Sequence, residues 1–164
     1  MTDNPRPQSF ERLVDALGDL VRRNRNLSVA LARDTGLSAS QVAVIGVLGG
    51  LGEVRIAELA EELWVDPSVV SRHLGPLEKT GCIERRPDPD DGRAALIRLS
   101  TTGEEIRALV RSKRRDHLER ALESWRTTQI DTLADALSTI GEALGEFRGD
   151  ARVLPTTTGS EESA

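Results

Sequence analysis

The 164-residue sequence has few of the residues on which several protein classes depend. It contains one cysteine, Cys82, and two histidines, His73 and His117, so we expect neither an internal disulfide nor a thiolate–imidazole metal site. Aromatic residues make up 2% of the chain, and its apolar runs are far shorter than the roughly 20 residues of a membrane-spanning helix. No apolar leader is recognised. We therefore expect a soluble, cytoplasmic protein with no cofactor, metal ion or membrane partner.

The charges do not favour indiscriminate binding to polyanions. Acidic residues outnumber basic ones by 27 to 22, which gives a net charge of −5 and a pI near 5.2. Any nucleic-acid site must therefore be a local surface. Catalytic patterns are missing as well: we find no nucleophile with a matching base, no paired carboxylates in a folded segment and no glycine-rich phosphate loop. An enzyme is not expected.

Composition divides the chain into one domain and two terminal segments. Residues 1–9 and 149–164 are poor in apolar residues and cannot offset the entropy cost of ordering, which predicts a disordered arm and a flexible tail. Between them, apolar residues recur at three- and four-residue intervals and predict a single, mainly α-helical domain over residues 10–148. Its first helix is predicted over residues 10–33. Its last two helices are predicted over residues 102–148, and the first of these ends near Arg126.

Capping patterns mark where the helices begin. A Ser three residues before a Gln or a Thr three residues before a Glu forms a capping box, and an Asp followed by Pro marks a first helical turn. The predicted cap residues are Ser38, Asp66, Thr101, and either Thr127 or Thr128.

Residues 56–100 have the pattern of a helix-turn-helix followed by a hairpin. A short helix over residues 56–63 and a second helix that begins at Pro67 and ends at Gly81 are joined by a short turn. Residues 82–86 and 94–99 then show strand character around a turn-rich segment, which predicts a two-stranded wing. The second helix has an apolar side and a polar side. The polar side includes Ser68, Ser71 and Arg72.

This polar side suits the major groove of DNA. The hydroxyls of Ser68 and Ser71 suit phosphates or base edges, and the guanidinium of Arg72 matches the O6 and N7 acceptors of guanine. His73, beside Arg72, is a further candidate for a phosphate contact. The alternative interpretation is an ordinary solvated helix face.

Arginines predicted at the tip of the wing suit the minor groove, whose negative potential is strongest where it is narrow. They are Arg85, Arg86 and Arg93. Arg93 is the candidate for insertion, and Arg86 is a further candidate contact. The alternative interpretation is that Asp88, Asp90 and Asp91 form a solvated acidic loop that repels DNA.

The stretch from Ile56 to Ser100 resembles the winged-helix core of the MarR family of bacterial transcriptional regulators. Its most specific parts are PSVVSRHL on the second helix and ERRPDPDDGR on the wing, and the flanking helices are similar to that family's dimerisation helices. The resemblance implies a winged helix-turn-helix over residues of about 38–100, with dimerisation helices at 10–33 and 102–148.

The resemblance also assigns roles to individual residues. It implies that Ser68, Ser71 and Arg72 read the major groove, and that Asp91 holds Arg93 in place. Gly92 departs from the family pattern, in which a second basic residue often stands, so we expect weaker binding by this wing.

At the level of function, the resemblance implies a sequence-specific regulator that binds double-stranded DNA. A homodimer places two recognition helices roughly 34 Å apart, so the target is expected to be an inverted repeat. The resemblance also implies either a repressor or an activator. We expect a repressor that releases DNA when a small aromatic or phenolic effector binds. The alternative is a winged helix that contacts another protein, for which binding lacks the steep salt dependence of phosphate contacts.

Several residues keep two interpretations. Cys82 is either a small buried thiol or a redox sensor activated by nearby arginines. Trp64 either covers the turn or stacks on the DNA backbone. A basic run on the fifth helix is either a solvated face or a surface that flanks the DNA. Basic residues of the first helix line a pocket for an acidic ligand, contact phosphate, or are surface charges. The two runs are Arg111, Lys113, Arg114, Arg115 and Arg120, and Arg22, Arg23 and Arg25.

Overall fold

The computed structural model describes residues 5–91 and 94–146. These residues form six helices and three short strands. In chain order the elements are α1 (Pro5–Arg33), α2 (Ala39–Leu51), β1 (Val54–Arg55), α3 (Ile56–Leu63), α4 (Pro67–Lys79), β2 (Ile83–Pro87), β3 (Ala95–Leu99), α5 (Thr101–Ala121) and α6 (Thr127–Glu146). The fold is a mainly helical winged helix-turn-helix, as the sequence predicted.

Local signals set the limits of α2. The Ser38 hydroxyl accepts a hydrogen bond from the backbone N–H of Gln41 at 3.2 Å, and the Gln41 side chain accepts one from the Ser38 N–H at 2.8 Å. The predicted capping box is therefore confirmed. The helix ends at Leu51, and its C-cap is Gly52, whose φ of 82° is a conformation that favours glycine over residues with a Cβ.

Helix α1 begins earlier than the sequence analysis predicted. Its first described residue is Pro5, so residues 5–9 of the predicted disordered arm are helical, and residues 1–4 lie outside the described residues. Two features explain the correction. Pro5 and Pro7 lie in the first turn, where a missing N–H leaves no intrahelical hydrogen bond unmade, and the Arg6 guanidinium lies 5.8 Å from the centre of the Phe10 ring.

The sheet has one strand more than the predicted two-stranded wing. Its order is β1-β3-β2, and both pairings are antiparallel. Arg55 of β1 and Arg86 of β2 both lie opposite Leu96 of the central strand β3. Strand β1 is two residues long, which is too short to give a recognisable alternating pattern in the sequence.

The core of the winged helix lies where α2, α3 and α4 pack on the sheet. Leu48, Leu59, Val70, Leu74 and Ile97 are fully buried there. A second cluster joins Leu31 and Ala32 of α1 to Val42 of α2 and Val110 of α5. The first cluster fixes the position of α4 on the rest of the winged helix, and the second joins α1 and α5 to α2.

Helix α5 and the wing come very close at Gly103. A Cβ at this position would lie 2.1 Å from the carbonyl oxygen of Cys82, so no larger residue fits unless the backbone moves. Ser100 caps α5, because its hydroxyl accepts the Gly103 N–H at 3.1 Å. The predicted cap at Thr101 is wrong by one residue, since Thr101 is the first residue of the helix.

The boundary between α5 and α6 also differs from the prediction. Helix α5 ends at Ala121 rather than near Arg126, and α6 begins at Thr127, so neither Thr127 nor Thr128 is its cap. The reason is local. Trp125 N–H donates to Leu122 in a turn, and the side chain of Gln129 accepts the Arg126 N–H at 3.0 Å.

The chain forms two compact units, with the boundary between His117 and Leu118. No residue in the described part of the second unit, from Leu118 to residue 145, is buried. Apolar side chains spaced along one side of α6 are therefore exposed. They are Ile130, Leu133, Leu137 and Leu144, and we call them the α6 stripe. The predicted tail, residues 149–164, lies outside the described residues.

Candidate nucleic-acid interface

Helix α4 begins as its sequence predicts. The Asp66 carboxylate accepts the Ser68 N–H at 2.8 Å, and Pro67 occupies the first turn. Hydrogen bonds from the side chain and then the backbone of Ser68 lower the pKa of Asp66, and the charge of Arg72 lowers it further. The ionised cap fixes the start of the helix that carries the candidate residues.

The two predicted sides of α4 are confirmed. Val70, Leu74 and Leu77 are completely buried, whereas the polar side faces solvent. Ser68, Ser71 and Arg72 are exposed, and His73 is half-buried. The buried side anchors the helix, so the polar side is displayed on a rigid element.

Hydrogen bonding distinguishes the polar residues of α4 from one another. The Ser71 hydroxyl donates to the carbonyl oxygen of Pro67 at 2.9 Å, and Ser68 bonds to Asp66. The Ser71 hydroxyl keeps acceptor lone pairs but has used its proton. Within residues 5–91 and 94–146, Arg72 makes no hydrogen bond or ion pair, so its donors remain available to a ligand.

The arginines of strand β2 are held by carboxylates. Arg85 Nε lies 2.9 Å from Glu78 Oε2 of α4. Arg86 Nε donates to Glu53 Oε1 at 2.6 Å, and its Nη2 donates to the other carboxylate oxygen of Glu53. These side-chain hydrogen bonds lower the pKa of Glu53 and raise the pKa of Arg86. Arg85 and Arg86 thus lie in a strand at the base of the wing, and the expectation that they lie on its tip is corrected.

The wing loop departs from the solvated acidic loop of the alternative interpretation at one of its three aspartates, because Asp88 is buried whereas Asp90 and Asp91 are exposed. Asp88 is 5% exposed, and Arg55 Nε and Nη2 both lie 2.6 Å from its Oδ2 atom. The hydrogen bond from the Asp90 N–H, followed by that from Arg55, lowers the pKa of Asp88. Asp91 is exposed, and its carbonyl oxygen accepts the Ala94 N–H at 2.8 Å.

The candidate for minor-groove insertion, Arg93, lies outside the described residues together with Gly92. Its position and the predicted role of Asp91 in holding it therefore stay predictions.

Trp64 has an unusual backbone conformation in the turn between α3 and α4. Its φ is 57° and its ψ is 39°, and it is the one non-glycine residue with positive φ in the described part of the chain. Its N–H donates to the carbonyl oxygens of Ala60 and Glu61, and 55% of the residue is exposed. The backbone of Trp64 thus closes the end of α3, while more than half of the residue is exposed to solvent.

Cys82 fits the interpretation of a small buried thiol. It is 1% exposed, and its sulfur lies 3.3 Å from the Thr80 hydroxyl. The two arginines that were considered as activators of the thiol are paired with Glu78 and Glu53 instead.

Sequence reasoning missed a hollow of about 440 Å³ between α1, α2 and α5. Apolar residues of α2 form its floor, and its rim carries Asn24, Ser28, Arg107, Arg111 and Arg114. Arg114 Nη2 donates weakly to the Ser28 hydroxyl at 3.3 Å, and Arg114 Nε is buried with no hydrogen-bond partner within the described residues.

A signal for the hollow was present in the sequence. Arg107, Arg111 and Arg114 recur at four- and three-residue spacing, which places like charges side by side on one helix face at a cost in stability. Of the basic run on the first helix, Arg22 pairs with Asp19, and Asn24 beside Arg23 and Arg25 lines the hollow. A ligand or phosphate contact by these arginines stays a prediction.

The described residues contain neither a membrane-spanning helix nor a cluster of metal ligands. None of their helices is both long and apolar enough to span a membrane. They also contain no group of three or more His, Cys, Asp or Glu side chains arranged to hold a metal ion.

Comparisons with known proteins agree with this architecture. Residues 35–94 match the model of the MarR family. The uncharacterized HTH-type transcriptional regulator YxaD of Bacillus subtilis is 29% identical over 127 residues, which are 77% of this chain and 89% of YxaD. The relatives of this kind are regulators and not enzymes.

Two solved structures with DNA share the fold. One is a putative MarR family regulator from Listeria monocytogenes complexed with 26mer DNA, with a TM-score of 0.73 and 18% identity over 92% of this chain and 97% of that one. The other is FabT of Streptococcus pneumoniae in complex with DNA, with a TM-score of 0.71 and 20% identity over 84% of this chain and 99% of FabT.

Proposed function

We propose that this chain, which belongs to the MarR family of transcriptional regulators, is a homodimer that recognises an inverted repeat in double-stranded DNA. The observation that carries the proposal is the construction of α4. One side of this helix is completely buried, and the other presents Arg72, which is exposed and has no hydrogen-bond or ion-pair partner within the described residues. The DNA complexes of FabT and the Listeria regulator, which share the fold, support the same partner.

The proposed contacts divide between the two grooves. Arg72 donates to guanine O6 and N7 in the major groove, while Ser68 and Ser71 accept hydrogen bonds from base amino groups or water. His73 contacts a phosphate. In the minor groove Arg93 is inserted with Asp91 holding it, and Arg86 contributes a phosphate contact only after part of its guanidinium leaves Glu53.

The proposal of a dimer depends on apolar side chains that a single chain leaves exposed. The α6 stripe is 38–54% exposed, and Phe10, Val14 and Val21 of α1 are 55–68% exposed. A monomer rarely keeps such surface in water, so each helix is expected to pack on a partner chain. A two-fold dimer then places two α4 helices in successive major grooves, roughly 34 Å apart.

We further propose that the regulator is a repressor relieved by a small aromatic or phenolic acid in the hollow between α1, α2 and α5. The apolar floor suits a ring, and the guanidinium groups of Arg111 and Arg114 suit its carboxylate. Arg114 Nε, buried without a partner within the described residues, would gain the hydrogen bond it lacks.

Selection from a pool of random duplexes tests DNA recognition. The proposal predicts enrichment of inverted repeats, and a Kd for the enriched duplex that rises steeply with salt because several phosphates are neutralised. An unenriched pool, or binding with a flat salt response, would contradict it and would favour a protein-contact role for the winged helix.

A matched pair of small molecules tests the effector. Benzoate is expected to bind by calorimetry and to release the enriched duplex, whereas benzyl alcohol, which has the same ring and no charge, is expected to do neither. The Arg111→Ala variant should lose the response to benzoate and keep its affinity for DNA. Equal effects of the two molecules would contradict an arginine-lined site.

A further inference from the structure

The contact between Arg55 and Asp88 differs from the exposed ion pairs of the described residues, such as Arg98–Glu84. In the described residues Asp88 is the one charged residue that is buried, and its side chain is 3% exposed. By comparison, the Arg98–Glu84 pair within the wing has both side chains more than half exposed. Exposed pairs contribute little to stability, whereas a buried carboxylate is costly unless its partner and hydrogen bonds are in place.

Arg55 belongs to the body of the winged helix. It is the last residue of β1 and directly precedes α3, and its backbone N–H donates to the Glu58 carboxylate at 2.9 Å. Its position is therefore fixed by a strand on one side and a helix on the other.

Asp88 belongs to the wing, at the point where the chain leaves β2. Its Oδ1 accepts the Asp90 N–H at 2.9 Å, and its own N–H donates to the carbonyl oxygen of Ala94 at 3.1 Å. The Ala94 N–H in turn donates to Asp91. One carboxylate thus binds Arg55 with one oxygen and closes the turn of the wing with the other.

The pair spans the sheet. Strands β1 and β2 do not pair with each other, because β3 lies between them, and Arg55 and Arg86 both lie opposite its residue Leu96. The Glu53–Arg86 pair makes a second connection of the same kind, from the segment before β1 to β2. A two-residue strand makes few ladder hydrogen bonds, so side-chain contacts must hold the wing relative to α3.

We propose that Arg55 is a positioning residue that, through Asp88, sets the orientation of the wing and so the affinity of the wing for DNA. Replacing a buried ion pair with apolar residues often preserves stability, and in some proteins such a pair instead fixes one geometry. Arg55 itself need not touch DNA, because both of its bonded nitrogens are directed at Asp88. The effect on affinity rests on the proposed function, whereas the effect on the wing does not.

Amide hydrogen exchange tests the positioning without DNA. The variants are Arg55→Gln, Asp88→Asn and the double variant, with Arg98→Gln as the control that removes a guanidinium from an exposed pair inside the wing. We expect the amides of Asp90 and Ala94 to exchange roughly tenfold faster or more in the first three variants, while amides of the α4 core stay unchanged. A merely global loss of stability would raise exchange in both places.

DNA affinity tests the consequence under conditions in which every variant is folded. Arg55→Gln and Asp88→Asn are each expected to weaken binding to the selected duplex by about fivefold to tenfold. The double variant should bind no worse than either single variant, and Arg55→Lys should recover part of the loss. Arg98→Gln should stay within about twofold.

The sign of the Asp88→Asn effect separates the competing explanations. If Asp88 merely repels DNA, removal of its charge strengthens binding, and if Arg55 contacts DNA directly, the two substitutions act additively. Either result, or unchanged exchange in the wing, would overturn the proposal. If the wild-type chain binds no duplex, the proposed function fails instead, and the exchange data alone decide whether Arg55 holds the wing.

Discussion

Two helices of this chain carry the same apolar pattern with opposite outcomes. On α4, Val70, Leu74 and Leu77 follow a four- and three-residue spacing and are completely buried. On α6, Ile130, Leu133 and Leu137 follow the same kind of spacing and are 38–42% exposed. The pattern predicts that a helix buries one side, but it does not name the partner. The winged helix supplies that partner within one chain, whereas the α6 stripe is left uncovered in the described residues, and the partner we propose for it is a second copy.

The substitution with the largest expected effect tests whether the α6 stripe packs on a second copy of the chain. Leu137→Asp puts a charge in the centre of the α6 stripe, so we expect a monomer in sedimentation equilibrium at micromolar concentrations. Because the two α4 helices are then no longer linked, the Kd for the inverted repeat should rise about 100-fold or more. Ser138→Asp adds the same charge beside the stripe and should leave both quantities within about twofold. A dimer that persists in Leu137→Asp would show that this stripe is not the interface.

The second largest effect concerns the polar side of α4. The buried side of the same helix holds it in position. Arg72→Ala should cost about 1–3 kcal/mol of discrimination, which is a loss of roughly tenfold to 100-fold on the selected duplex and much less on a scrambled one. Lys79→Ala removes a positive charge from the other end of the same helix and should weaken binding to both duplexes slightly and equally. Equal losses on both duplexes for Arg72→Ala would remove its assignment as a base-reading residue.

A third substitution tests how tightly the winged helix is packed. In Gly103→Ala the new methyl group meets the carbonyl oxygen of Cys82, so we expect the free energy of unfolding to fall by about 1–3 kcal/mol. Gly50→Ala, on an exposed and open part of α2, should instead raise it by up to about 1 kcal/mol. Urea denaturation measures both, and a neutral Gly103→Ala would mean that α5 is free to move away from the wing.

The smallest effect is a pH dependence at the base of the wing. The pKa of Asp88 is lowered in the folded chain, so its contribution to stability is complete above its ordinary pKa of about 3.9 and is lost as the pH falls through the lowered value. Asp88→Asn should therefore be less stable than wild type at about pH 7, and the difference should shrink towards about pH 2. The exposed control Glu105→Gln should show no such difference. A stability difference between wild type and Asp88→Asn that grows as the pH falls would contradict the lowered pKa of Asp88.

Local signals explain which parts of this structure the sequence predicted. Ser38 with Gln41 and Asp66 with Pro67 each mark a helix start within four residues of chain, and both were confirmed. The polar side of α4 follows from helical periodicity alone, so its exposure was predictable as well.

The features that were missed depend on distant parts of the chain. Strand β1 exists only because it pairs with β3, and Arg55 meets an aspartate 33 positions away. The hollow needs three helices to form it. No spacing within one segment predicts such contacts, and this is also why the burial of Asp88 and the pairing of Arg86 came as corrections.

The most direct test of the central claim changes the DNA and leaves the protein intact. Two α4 helices held by one dimer can read two half-sites only if both face the same side of the duplex. Inserting about five base pairs, half a helical turn, between the half-sites of the selected repeat should therefore reduce affinity to that of a single half-site, and inserting about ten should restore part of it. Equal affinity for all three spacings would show that the two helices act independently and would contradict the account.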